Sequence, residues 1–188
     1  MKNVFIYNPH SAYSPGGVWK GRTEYGDICA FSEELAEELK KYKDINCVMY
    51  SRENYPFVTE NDVLLSFHRA SAMKNCDSCG ADALCKSESS AAVQYKAYRL
   101  LDSLCGENGF RFKGVHTFTR HSPLRSIEKS GSPLSFIFTL GYMDNVRDNG
   151  IFDCFSDELI KNFAYTLNEI IKENENEVRT SFSQASFG

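Results

Sequence analysis

Long hydrophobic runs are missing from this sequence. No stretch approaches the ~20 apolar residues that cross a bilayer. The start, MKNVFIYN, has neither an extended apolar h-region nor a small-residue cleavage site. These absences lead us to expect a soluble, cytoplasmic protein with no export signal and no membrane partner. An excess of basic charge is missing too: 21 lysines and arginines stand against 25 aspartates and glutamates, for a formal net charge of -4. That balance gives no electrostatic reason to bind nucleic acid. There is no internal repeat. The seven cysteines, at 29, 47, 76, 79, 85, 105 and 154, are odd in number and scattered, unlike the paired frameworks of small secreted domains. Reduced thiols are the simpler reading.

What is present is the composition of an ordinary globular protein. A chain of 188 residues that is 42% hydrophobic and 24% charged can bury the core of one domain. KNVFIY reads as a strand ending at Asn8-Pro9, and FSEELAEELKKY spaces Phe31, Leu35, Leu39 and Tyr42 as the buried stripe of a helix. INCVMYS, NDVLLSFH and GADALCK read as further strands. SSAAVQYKAYRLLDSLCG follows as a helix whose stripe is Val93, Ala97, Leu100, Leu101 and Leu104. Residues 112–118 read as a strand, SPLRSIEKS as a turn with a short helical piece, and PLSFIFTL as a strand apolar on both faces. Ser156 is expected to cap a last helix over SDELIKNFAYTLNEIIKE. Strands this apolar, alternating with helices, predict an α/β fold: a twisted, largely parallel sheet flanked by helices on both faces. The domain is expected to span 1–173, with the polar NENEVRTSFSQASFG at 174–188 a mobile tail.

In open α/β sheets, sites form at the carboxyl ends of strands. His10 follows the first strand, Glu24 opens the first helix after a glycine-containing loop, and His68 ends VLLSFH. Two histidines and a carboxylate suit a catalytic zinc, whose fourth position stays open for water or substrate. Each residue also has an ordinary reading: a loop histidine bonded to backbone, a helix-start acid complementing the dipole, a satisfied strand-end histidine. No short local motif such as His-Glu-x-x-His decides between them.

The order YNPHSAYSPGG, GRTEYGD entering a helix, LLSFHRASA, GADALCK and FRFKGVHTFTRHSPLRSIEKSGSPLSFIFTLGYMDN resembles the zinc-dependent N-acetylmuramoyl-L-alanine amidases of cell-wall hydrolases and phage endolysins. The likeness runs over roughly residues 3–172. It implies an amidase fold, Zn²⁺ held by His10, Glu24 and His68, and hydrolysis of an amide bond in a peptidoglycan fragment or related N-acyl substrate. The sequence departs from the family around the ligands: Asn8-Pro9 stands where a glycine is usual, Ser11-Ala12 where glycines follow, and Arg69 where alanine is usual.

A larger departure lies in the last strand. The family carries a glutamate two residues before the glycine of the following turn, as general base and acid, and the matching residue here is Thr139. A hydroxyl cannot accept a proton near neutrality, and such help is worth ~10²–10⁴-fold in rate. Three readings follow. Another group, among His116, His121 and Glu128, carries the proton. Alternatively, Thr139 positions substrate or water for a different bond. In the third, the domain is catalytically silent and binds a small anionic ligand, peptide or protein, with Arg69, Arg120 and Arg125 as anion partners or as plain surface charges.

Trp19, the single tryptophan, reads either as a platform for a sugar or peptide or as a plug over the loop. Cys76, Cys79 and Cys85 lack a fourth ligand of regular spacing for a structural metal, so a plain cysteine-containing loop is preferred to a metal or redox site. Tyr95, Tyr98, Phe163 and Tyr165 fall in helical patterns and are expected to be packing residues rather than stacking platforms.

Overall fold

The computed structural model describes residues 1–72, 78–106, 108–117 and 127–185, with 155, 156 and 177–185 as backbone only. Among these residues eight strands and three helices run in the order β1 (Lys2–Tyr7), β2 (Val18–Trp19), β3 (Arg22–Thr23), α1 (Glu24–Leu39), β4 (Ile45–Tyr50), β5 (Val63–Ala70), β6 (Ala81–Cys85), α2 (Ala91–Ser103), β7 (Phe112–Thr117), β8 (Ser135–Tyr142) and α3 (Val146–Ala185). Six strands form one sheet in the order β4-β1-β5-β8-β6-β7, and β2 and β3 make a small hairpin. Every pairing in the large sheet is parallel except that of β6 with β8. The fold is thus the expected α/β arrangement, a largely parallel sheet flanked by helices.

The alternation of side chains across a strand divides the core. Val63, Leu65 and Phe67 of β5, with Phe136, Phe138 and Leu140 of β8, face a large apolar layer built from α1, α2 and α3. Phe67 lies at its centre, with ring centroids of Phe31, Phe138 and Phe163 at 5.0, 5.8 and 5.6 Å. Burying a ring of this size stabilises the fold by about 1.5–3 kcal/mol. The intervening residues Leu64 and Ile137 face a smaller cluster with Phe5, Tyr7, Val58 and Ile127. Among the described residues no helix contributes to this second cluster. Most of SPLRSIEKS, with its expected helical piece, lies outside them.

Local chemistry sets the helix ends. Thr23 caps α1, its side chain accepting from the Gly26 amide, and Ser90 caps α2 by accepting from the Val93 amide. The last helix starts ten residues before the expected Ser156 cap. Asn145 Oδ1 accepts from the amides of Arg147 and Asp148, and Ser156 lies inside α3. The residues between include Asp148, Asn149 and Gly150, which are weak helix formers, but the helix there is held by burial of Ile151 and Phe152. At its other end α3 remains helical to Ala185, through most of the segment expected as a tail. Of the four aromatic residues expected to pack, Phe163 is fully buried, whereas Tyr95, Tyr98 and Tyr165 are exposed. Tyr95 and Tyr98 stack on each other at 6.2 Å, and Tyr98 meets Phe112 at 5.2 Å. No described helix is long and apolar enough to cross a membrane.

Candidate metal centre

Three chain segments converge at the carboxyl end of β1 and β5. His10 comes from the loop after β1. Its backbone amide donates to Asn8 Oδ1 at 3.0 Å, which anchors the turn made by Asn8-Pro9. Glu24 is the first residue of α1, and His68 sits near the end of β5. His68 Nδ1 lies 2.9 Å and His10 Nε2 3.1 Å from the same oxygen, Glu24 Oε1. One ligand atom from each of the three residues can be chosen so that all lie within 4.8 Å of one another. Among the described residues this is the one group of three or more His, Cys, Asp or Glu side chains so disposed.

The backbone completes the cradle. The Gly17 amide donates to Glu24 Oε2 at 2.9 Å, and the Arg69 amide to Glu24 Oε1 at 3.2 Å. Gly16 has φ +74°, and a Cβ there would fall 2.4 Å from Glu24 Oε2 and 2.8 Å from His10 Cε1. Only glycine lets the chain pass this close. Glu24 itself is buried. Burial pushes its carboxyl pKa up, but the contacts with His10 and His68 and the Gly17 amide outweigh that and hold it well below the usual carboxylate range.

These residues fit a metal ion. Two imidazoles and an ionised carboxylate are the donors a catalytic zinc takes. The buried His68 Nε2 has no hydrogen-bond partner, a state that costs free energy unless something else satisfies it, and His10 Nε2 has only its 3.1 Å contact with Glu24 Oε1.

The other expected site residues are differently placed. Thr139 is the Cα partner of His68 across the β5/β8 pair, so the two share a face. Arg69, expected to meet an anion, has a side chain with no exposure. Its guanidinium lies over the Phe152 ring at 4.4 Å and donates to Asp27 Oδ2 at 2.9 Å and Asn149 Oδ1 at 2.6 Å. Burial lowers its pKa to about 10. Arg69 is therefore engaged within the protein, joining β5 to α1 and α3. Glu128 accepts from the Ser87 amide at 2.9 Å. Ser87 follows β6 at the end of the sheet opposite Thr139, since β6 runs antiparallel to β8 and Cys85 pairs with Phe136. Glu128 is thus far from the ligands.

His116 is exposed on the edge strand β7, level with Leu84 rather than with Thr139. Trp19 is half-buried in the β2/β3 hairpin opposite Arg22, with Lys20 Nζ 5.7 Å from its ring. Arg120, His121, Arg125 and Cys76 lie outside the described residues. Cys79 and Cys85 flank β6, and burial pushes the Cys85 thiol up to about 11.

Asp82 is the residue that reading strand carboxyl ends misses. It pairs with Thr139 from the other side, but at the amino end of β6. Only the reversal of that strand brings it to this end of the sheet, and the residue sequence ADALC gives no sign of the reversal.

By sequence, no family model and no curated protein matches this chain. By structure, it is similar to the N-acetylmuramoyl-L-alanine amidase of Clostridium difficile 630, with a TM-score of 0.77 at 16% identity over 91% of this chain and 97% of that one. The catalytic domain of CwlV, an N-acetylmuramoyl-L-alanine amidase from Bacillus (Paenibacillus) polymyxa var. colistinus, gives a TM-score of 0.75 at 17% identity over 92% and 99%. The catalytic domain of an endolysin targeting Clostridia difficile gives 0.71 at 16% identity over 90% and 98%. The structural neighbours are N-acetylmuramoyl-L-alanine amidases, and the chain shares their fold.

Proposed function

We propose that this chain is a zinc-dependent, amidase-like hydrolase acting on an amide bond of a peptidoglycan fragment or related N-acyl substrate, with residues 1–173 as its domain. The observation that carries this reading is the convergence of His10, Glu24 and His68 within 4.8 Å of one another at the carboxyl end of a sheet shared with peptidoglycan amidases. The endolysin among the neighbours supports the bacterial cell wall as the place of action. Bound zinc would polarise the scissile carbonyl and make the attacking water acidic enough to react near neutral pH. The two imidazoles and the Glu24 carboxylate hold the ion, and the Gly17 and Arg69 amides fix that carboxylate. Thr139, beside His68, offers a hydroxyl that positions water or substrate but cannot keep an added proton.

That hydroxyl also favours a second reading, a silent amidase fold that binds an anionic ligand, peptide or protein. The two are separated by measuring the zinc content of the purified protein together with release of free peptide from a muramyl-peptide. Zinc with turnover that is lost in His68→Ala supports the hydrolase. Zinc without turnover, with activity appearing in Thr139→Glu, supports the silent fold. Absence of zinc, with His68→Ala indistinguishable from wild type, sinks the metal centre.

A further inference from the structure

The hydrolase reading leaves the proton that the attacking water must lose without an acceptor at position 139. The sheet places a carboxylate one strand away. Thr139 lies between His68 on β5 and Asp82 on β6, each its direct Cα partner, and directly paired residues project from the same face of a sheet. His68, Thr139 and Asp82 therefore form a row across three strands. With adjacent strands ~4.8 Å apart, the histidine and aspartate backbones stand about 10 Å from each other across the threonine.

Asp82 is held in this row from two sides. Asp148 Oδ2 accepts from the Gly80 amide at 2.9 Å and from the Tyr142 amide at 2.8 Å, pinning the start of β6 to the end of β8. Lys113 on β7 donates to Tyr142 Oη at 2.5 Å and lies 3.8 Å from Asp82 Oδ2. At that distance the lysine attracts the carboxylate without a close hydrogen bond, so its lone pairs remain open to another donor. The Asp82 side chain is 19% exposed, so water reaches it.

We propose that Asp82 is the general base and acid of this site, with the Thr139 hydroxyl, which both donates and accepts, passing the proton between the attacking water and the carboxylate. A threonine and an aspartate on adjacent strands together cover the reach of one longer acid. In the reaction, the water oxygen forms a bond to the amide carbonyl carbon, and its proton moves through Thr139 to Asp82. The C–N bond then breaks as Asp82 returns that proton to the departing nitrogen, which leaves as an amine. The product acid and amine account for the water consumed, and Asp82 ends ionised as it began.

The test rests on the hydrolase reading but is separable from it. The zinc-loaded full chain is compared with Asp82→Asn and with Asp82→Asn/Thr139→Glu. Peptide release from a muramyl-peptide is measured together with zinc affinity, the latter by competition with a chromophoric chelator. The expected result for Asp82→Asn is a ~10²–10⁴-fold fall in kcat, with KM and zinc affinity within about twofold of wild type, and recovery of turnover in the double variant. A kcat for Asp82→Asn within twofold of wild type would overturn the assignment. So would a tenfold loss of zinc affinity, which would make Asp82 a support of the metal centre, or a double variant that recovers nothing. Wild-type protein that holds zinc but releases no peptide overturns the hydrolase itself, a failure seen without any variant.

Discussion

His68 and Arg69, consecutive on β5, meet two carboxylates one turn apart on α1, and the two meetings differ in character. Arg69 and Asp27 form a closed structure: the guanidinium is buried, stacked on Phe152 and donating to Asp27 and Asn149. Arg22 extends the network from Asp27 to Asp153 at the surface. His68 and Glu24 form an open structure, in which a second imidazole crowds the same carboxylate oxygen and His68 Nε2 is left without a partner. The same helix edge thus meets a closed ion pair on one side of the strand and the proposed metal centre on the other. A buried ion pair is complete without any addition, whereas the histidine set leaves a buried nitrogen that a bound cation would satisfy.

Substitutions at the two meetings should separate these roles. His68→Ala is expected to cut zinc affinity by more than ~100-fold, beyond the range for residues that only support a ligand. Its stability without metal should fall by only about 1–2 kcal/mol, the loss of one hydrogen bond to Glu24, and chelator competition and urea denaturation together check this. Arg69→Ala is expected to fall mainly on stability, costing about 2–3 kcal/mol because the buried guanidinium is lost from the Phe152 ring and from Asn149, while Asp27 keeps Arg22. If urea unfolding of Arg69→Ala shows less than 1 kcal/mol, the network is not structural. Gly16→Ala should weaken zinc binding by ~10-fold, since the new Cβ strikes the carboxylate and the residue must hold φ +74°.

Acid should act on the open side. The folded pKa of Glu24 lies below its ordinary value of 4.5, so its contribution to stability is complete above that pH and is lost as pH falls below it. Denaturation of the metal-free protein from pH 6 to 3 should show this loss, and Glu24→Gln should flatten it. Asp153→Ala is expected to have the smallest effect, no more than ~1 kcal/mol by urea unfolding, because Asp153 is 55% exposed at the solvent end of the network.

The sequence was most informative where a residue's role depends on its own segment. Apolar alternation and periodicity located all six strands of the large sheet, and the ends of β1 and β5 and the opening of α1 pointed to the three residues that converge. It was least informative where a role depends on a distant neighbour. Arg69 looked like a free cation because Asp27 and Asn149, 42 and 80 residues away, are its partners. Asp82 was invisible because its meaning comes from the direction of β6, which tertiary pairing alone determines. The start of α3 was misread for a related reason: burial of Ile151 and Phe152 outweighs the turn-like residues before them.

The position of β8 in the sheet has a consequence in time. His10, Glu24 and His68 all precede β6 in the chain, and Glu24 and His68 are 44 residues apart. The row that includes Thr139 and Asp82 needs β8 inserted between β5 and β6, and β8 comes after both of those strands in the chain. In a chain made from its N-terminus the trio is therefore present before the strand that completes the row, so on the hydrolase reading the residues for metal uptake come early and those for turnover late.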